Sequence, residues 1–339
     1  MKTAIIIGFG GMGIRHFKAL SKLNIKVKAI CDKNLEKIEK DKSLKKIIKT
    51  NNYKKILNIK ADIVCIASNT QSRFAITKNF LRYSKIQRIL IEKPLSVTFK
   101  DSLELYNLVK KNRNRRIYVN TFRTISKNFE NVKKVFTKNK EKITHIFINS
   151  PSAGLGNMGS IFFDLGNYFI EENAVSVTSW IDKTGTVSPR GKIFKDPGGY
   201  GIVRYKNEKK LFFDLSEDTS LPYEIILKSR NFECKIDELN NNFSFRKRPN
   251  KYRVKPNYYY LYKPEKFNLK IAHKYDVVKM TTFSIKKLFE KKFQSNLQES
   301  IKSMELVFAA HASDNKQETI KLPLSKKFHN KKVNFAWYL

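Results

Sequence analysis

Ile5-Ile6-Ile7-Gly8-Phe9-Gly10-Gly11-Met12-Gly13-Ile14-Arg15-His16 runs an apolar strand into a glycine turn and on into helical spacing, and this junction decides the fold. The spacing predicts a strand over Thr3–Ile7 and a helix over Ile14–Leu23. Gly8, Gly10 and Gly13 form a GxGxxG. In that pattern the first glycine allows the tight turn, the second lets the backbone approach a pyrophosphate, and the third lets helix and strand pack closely. Phe9, Gly11 and Met12 complete the same loop. Free N–H groups and the positive end of the dipole make a helix N-terminus suited to an anion. A lone GxGxxG is weak evidence, but Asp32 ends the second apolar run, Lys26–Cys31, about twenty residues on, where a carboxylate can accept from the adenosine ribose hydroxyls. A carboxylate there repels a 2′-phosphate, which favours NAD over NADP, while Lys33 and Lys37 stand close enough to soften the repulsion.

Working outward, short apolar runs at Ile63–Ala67, Arg88–Ile91 and Arg116–Asn120 alternate with helical stretches at Asn34–Lys40, Arg73–Tyr83 and Phe99–Lys111. That alternation calls for a doubly wound parallel sheet, an α/β Rossmann domain over residues 1–121. From about Thr121 the texture changes. After one more helical stretch, strand-like segments follow at Thr144–Asn149, Gly201–Tyr205, Lys210–Leu215, Tyr223–Ser229 and Phe232–Ile236, so residues 122–339 read as an α+β domain on a mostly antiparallel sheet. Helices at Thr282–Lys292 and Leu297–Ala312 and a strand near Thr319–Leu322 close the chain, and Arg246–Tyr275, dense in Lys, Arg and Tyr, reads as a surface loop.

At 339 residues and 41% hydrophobic content the chain can bury one or two cores. Its 68 Lys and Arg against 30 Asp and Glu give a formal net charge of +38, which invites an anionic ligand. A Lys-, Asn- and Ile-rich compositional bias accounts for much of that excess. A dinucleotide and a phosphorylated or nucleotide-linked sugar would benefit from the same field. Nucleic acid comes last, because no helix-turn-helix, zinc-finger or RNA-binding signature is present. Cys31, Cys65 and Cys234 are odd in number and lack CxxC spacing, which argues against a disulfide framework and fits a reducing compartment. The apolar run Ala4–Ile7 is too short for a signal-peptide core or a membrane span, so the cytoplasm is the expected location. No HExxH or other grouped ligand spacing suggests a metal.

Ile91-Glu92-Lys93-Pro94-Leu95 follows the fourth apolar run, and here the sequence resembles the glucose-fructose oxidoreductase, inositol dehydrogenase and rhizopine-catabolism (Gfo/Idh/MocA) family. The resemblance covers nearly the whole chain. It rests also on Gly8 to Gly13 with His16, on Ala67-Ser68-Asn69-Thr70, on Arg123, and on Gly159-Ser160-Ile161-Phe162-Phe163-Asp164-Leu165-Gly166-Asn167-Tyr168. It implies hydride transfer between a nicotinamide and a hydroxyl or carbonyl carbon of a sugar-like substrate. Lys93 would be the proton-transfer residue, with Glu92 positioning it or the ribose and Ser68, Asn69 and Thr70 near the nicotinamide ribose. The family pattern places an Asp and a His four residues apart on one helical face. Asp164 matches the first, but Tyr168 stands at the second, and a phenol is a poorer base than imidazole at neutral pH. Tyr168 is therefore expected to face the nicotinamide and donate a hydrogen bond beside Lys93. Arg123 would contact an anionic or hydroxyl-rich substrate or form an interdomain salt bridge. His16 reads as helix packing or loop support, and spacing alone does not bring His145 or His273 to the cleft. The resemblance further implies a homodimer or homotetramer. Two other functions compete: a catalytically altered NAD-binding relative acting as sensor or assembly partner, and a reductase of a non-carbohydrate substrate.

Overall fold

The computed structural model describes residues 1–41, 44–112, 114–150, 154–183, 195–217, 222–253, 262–333 and 335, the side chain of Lys37 excepted. Six parallel strands form the first sheet: β1 (Thr3–Ile7), β2 (Lys26–Cys31), β3 (Ile48–Thr50), β4 (Ile63–Ile66), β5 (Arg88–Ile91) and β6 (Arg116–Val119). Their order, β3-β2-β1-β4-β5-β6, is that of a dinucleotide-binding Rossmann sheet. All four residues of β4 are buried, as expected of a strand covered on both faces. Helices α1 (Gly11–Lys22), α2 (Leu35–Glu39), α3 (Thr70–Tyr83) and α4 (Phe99–Lys111) connect the strands.

The second sheet has nine strands: β7 (His145–Asn149), β8 (Ala174–Ile181), β9 (Gly199–Tyr205), β10 (Lys210–Asp214), β11 (Glu224–Lys228), β12 (Phe232–Asp237), β13 (Asn242–Lys247), β14 (Glu265–Asn268) and β15 (Ile320–Lys321). The order is β14-β13-β12-β11-β7-β10-β9-β8-β15, antiparallel except for the β7–β10 pair. Alternate residues such as Ile146, Ile148, Val203, Leu211, Ile225 and Leu227 point inward to a core shared with α5 (Lys127–Lys138), α6 (Ser160–Ile170) and α8 (Leu297–Lys316). The opposite face carries Phe147, Phe212, Ile202 and Ile226, with Trp180 and Tyr200 stacked at 5.3 Å and 44% and 49% exposed.

Three differences from the sequence reading have physical causes. Strand β14 lies inside the stretch read as a loop; all four of its residues are exposed, so no apolar alternation marks it. Residues 254–261 of that stretch lie outside the described residues. Helix α7 spans Val277–Phe289 rather than Thr282–Lys292, capped by the Asp276 carboxylate on the Lys279 N–H. Finally, α7 packs on the first sheet: Ile285 and Leu288 share a core with Ala4, Ile6, Leu20 and Leu90, and Arg88 and Arg116 both donate to the Leu288 carbonyl at 3.2 Å. The dinucleotide domain thus takes a helix from far down the chain. The open edge of β6 is closed by side chains: Asn296 Oδ1 accepts from Val119 N–H, its Nδ2 donates to the Val119 carbonyl, and Ser295 Oγ donates to the Ile117 carbonyl. Among the described residues, no helix is long and apolar enough to cross a membrane.

Candidate active site

The turn after β1 is built as the glycine pattern requires. Gly8 has φ +87°, and a Cβ there would fall 2.5 Å from the Ala67 carbonyl oxygen, so the loops after β1 and β4 touch through this residue. A Cβ on Gly13 would meet the Gly8 carbonyl oxygen at 2.0 Å, which fixes the close approach of α1 to β1. Helix α1 begins at Gly11 with no side-chain cap and no acidic residue in its first turn, leaving its leading end suited to a phosphate. Phe9 and Met12 are buried, Phe9 edge-on against Phe17 at 5.9 Å; their side chains are core, and only their backbone belongs to the loop.

Asp32 stands at the end of β2, and its carboxylate accepts from the Phe9 N–H and, at 2.9 Å, from the Asn34 N–H. The acid is thereby fixed against the glycine turn while its side chain stays partly exposed. Donor set, cradle and acid together fit a dinucleotide. Asn69 caps α3, its Oδ1 accepting from the Ser72 N–H at 3.1 Å, and Thr70 is buried in the first turn. Arg73, fully buried, donates to the Ser68 carbonyl and to the Pro94 carbonyl, so one guanidinium ties the loop after β4 to the loop after β5.

That second loop carries Glu92 and Lys93. Glu92 is buried, and its Oε1 is 2.6 Å from His16 Nε2 of α1 and accepts from Asn120 Nδ2 at 2.6 Å. Burial opposes its ionisation, but the bonds from His16 and Asn120 and the nearby Lys93 outweigh it and hold the carboxyl below its usual range. His16 is thus the support of Glu92, as its place on α1 suggested. Lys93 is part-buried, and its Nζ donates to Asn157 O at 2.9 Å and to Asn157 Oδ1. Burial brings its pKa down to about 8, with Glu92 and Asp196 raising it and Arg123 and Arg73 lowering it further.

Asn157 and Asp196 were not legible as site residues. Asn157 sits in a π-helical turn, Gly154–Gly159, that leads into α6. Asp196 is buried and accepts from the Gly156 and Asn157 N–H groups at 2.7 Å each.

Asp164 and Tyr168 do share a face of α6, but it opens elsewhere. They line a cleft of about 1050 Å³ with Tyr118, Lys133, Asn296 and Glu299, to which Lys93 does not contribute. Lys93 meets the helical stretch at Asn157, and Tyr168 lies roughly 15 Å further along it at 1.5 Å per residue. The Tyr168 ring carries Lys133 Nζ at 4.3 Å and packs edge-on against Phe169. Burial, with Glu130 and Glu171 nearby, pushes its hydroxyl up to about 12. No described contact joins Tyr168 to Lys93, and about three helical turns lie between Asn157, which Lys93 meets, and Tyr168. Asp164 is buried near Thr121, Glu299 and Ser303, and burial raises its pKa to about 7. Arg123 is also buried, its Nε on Glu238 Oε2 at 2.8 Å and its Nη2 on Tyr223 Oη at 3.0 Å; both partners fall within residues 122–339, so the salt bridge it makes is internal to the second domain rather than the interdomain one expected. His145 stacks on Phe212 on the outer sheet face and His273 bonds Ser126; neither joins Lys93.

Residues 2–121 match the model of a family described as an oxidoreductase family with an NAD-binding Rossmann fold. No curated protein matches the chain. Among solved structures it is similar to an NAD-binding protein from Listeria innocua (18% identity, TM-score 0.74, covering 97% of this chain and 98% of that one). It is similar also to the UDP-N-acetylglucosamine 3-dehydrogenase GnnA from Acidithiobacillus ferrooxidans (13%, 0.72, 92% and 97%). A third is the transcriptional regulator Gal80p from Kluyveromyces lactis (14%, 0.72, 94% and 94%). At these identities the likeness is one of fold.

Proposed function

We propose, from the match of residues 2–121 to the Gfo/Idh/MocA oxidoreductase family with its NAD-binding Rossmann fold, that this chain is an NAD-dependent dehydrogenase or reductase acting on a CH–OH group, or the matching carbonyl, of a sugar, polyol or nucleotide sugar. The observation that carries the proposal is Lys93. It stands at the C-terminal end of β5, where open sheets present their ligands, with its amine held by Asn157 and its pKa near 8. NAD, when bound, supplies the hydride acceptor and NADH the donor. The neutral Lys93 amine takes the proton that a hydroxyl must lose as its carbon is oxidised, and the ammonium form returns one to a carbonyl oxygen in reduction. The fold likeness to a nucleotide-sugar dehydrogenase and the positive field of the chain support an anionic or polyhydroxylated substrate. A cytoplasmic location belongs to the same proposal.

The test is a melting-temperature screen with NAD and NADH, alone and then with sugars, polyols and nucleotide sugars, followed by NADH absorbance with each stabilising compound. Cofactor binding without turnover across the panel would favour the second reading, an NAD-binding sensor or assembly partner. The likeness to a transcriptional regulator, and a cleft lined by Asp164 and Tyr168 but not by Lys93, speak for that reading.

Two further results are expected. NADH should bind at least about fivefold more tightly than NADPH, because a like charge at contact costs about 1–4 kcal/mol. Asp32→Ala should narrow the gap, and equal titrations in the wild type would point instead to Lys33 or Lys37 as phosphate ligands. The apolar outer face of the second sheet should pair with a second copy of the chain, as in the family this sequence resembles. Light scattering should find a dimer or tetramer, and Trp180→Glu with Tyr200→Glu should reduce it to monomer. A wild-type protein that is monomeric at micromolar concentration would remove that inference.

A further inference from the structure

We propose that Asp196 is the positioning residue of Lys93: its carboxylate grips the Gly156 and Asn157 N–H groups, and Asn157, so held, presents its carbonyl and side-chain oxygens to Lys93 Nζ. The inference rests on the reading of Lys93 as the proton-transfer residue. Each link is short, and the two from Asp196 are buried. Asp196 Oδ1 and Oδ2 take one backbone N–H each at 2.7 Å, and Lys93 Nζ reaches Asn157 O at 2.9 Å as well as Oδ1.

The turn is shaped to make these bonds. Gly154 has φ +59°, and a Cβ there would lie 2.5 Å from Asp196 Oδ2, so only glycine lets the carboxylate in this close. A Cβ on Gly156 would fall 2.1 Å from the Phe335 ring, which backs the turn from the other side. The π-helical winding matters too. The Asn157 carbonyl accepts from Lys93 and, at 3.3 Å, from Ser160 Oγ, which leaves it turned toward the loop after β5. The family's Asp and His positions, Asp164 and Tyr168, lie outside this arrangement. Asn157 and Asp196 stand in the place beside the lysine where an orienting group is needed.

Among the described residues, the charges facing Lys93 include Glu92, Asp196, Arg123 and Arg73, and those facing Asp196 include Lys93 and Glu217. Burial holds the Asp196 carboxyl up at about 7, with the Gly156 and Asn157 N–H groups and Lys93 drawing it down. Removing one negative charge from this set should lower the Lys93 pKa.

The experiment needs no substrate. The whole protein is labelled over a range of pH with an amine-acylating reagent, and peptide mass spectrometry reads the extent at Lys93. The wild-type midpoint is expected near pH 8. Asp196→Asn should move it down by about one unit, and Asn157→Ala, which leaves the Asp196 bonds to the backbone intact, should move it the same way. Asp196→Glu should restore part of the shift. If Asp196→Asn fails to fold, Asn157→Ala carries the test alone. Labelling curves for Asp196→Asn and Asn157→Ala that superimpose on the wild type would reduce Asp196 to a staple of the turn and overturn the proposal. That outcome is separate from failure of the proton-transfer reading, which turns on the activity of a Lys93 variant and not on these curves.

Discussion

Replacing Lys93 by alanine is expected to cut turnover about a hundredfold or more while NADH affinity stays nearly unchanged. The amine belongs to the loop after β5, whereas the glycine turn and Asp32 that fit the dinucleotide lie after β1 and β2, so cofactor binding and proton transfer should separate. The pH dependence carries a sign. Alcohol oxidation needs the neutral amine, so its rate should rise with pH through about 8; carbonyl reduction needs the ammonium and should fall over the same interval. Stability gives an independent control. The folded pKa of about 8 lies below the ordinary 10.5, so the folded state binds this proton less tightly than the unfolded chain. The resulting penalty is complete below pH 8 and is relieved as pH rises toward 10.5. Lys93→Met should therefore fold at least as well as the wild type near neutral pH and still be inactive. Unchanged turnover in either variant would show that Lys93 does not transfer the proton.

Arg123→Met is expected to destabilise the fold by about 3–5 kcal/mol in denaturant unfolding, because it leaves Glu238 buried without its cation. Glu238 has only one other described hydrogen-bond donor, the Tyr223 hydroxyl, and Arg123 also faces the Phe122, Phe162, Tyr223 and Tyr275 rings within 6.0 Å. Adding Glu238→Gln to Arg123→Met should return part of the loss, since a neutral amide there costs less than an unpaired carboxylate. A substrate contact would behave differently, raising KM with stability intact. A loss below about 1 kcal/mol would mean that the pair contributes little and would reopen the substrate reading.

Much of the first sheet was legible because its signals are local. Strands β1, β2, β4, β5 and β6 each contain a short run of at least three apolar residues, and the glycine turn with Asp32 is a motif within a single βαβ unit. Strand β3 was missed, having only Ile48-Lys49-Thr50 within a lysine-rich stretch. Strand β8 was missed because small and hydroxyl residues, Ala174, Ser176, Thr178 and Ser179, interrupt its apolar alternation. The site was legible up to Lys93. Asn157 and Asp196 escaped because nothing in their sequence neighbourhood marks them: a lone Asn among glycines and a lone Asp before Pro197 meet only through the tertiary fold. Tyr168 shows the converse. Its spacing from Asp164 was correct, but a shared helical face does not say which cleft that face addresses; the meeting of Lys93 with the start of the helical stretch decides it.

The return of α7 to the first sheet sets an order for biosynthesis. Ile285 and Leu288 complete the face of the sheet that also takes α1, so the dinucleotide half stays unfinished on the ribosome until both residues have emerged. At about 5–20 residues per second, that is a delay of roughly ten to thirty seconds after β6 has been made. During that interval Arg88, Arg116 and the apolar face of β5 and β6 lack their cover, and they are where a nascent-chain chaperone would be expected to bind.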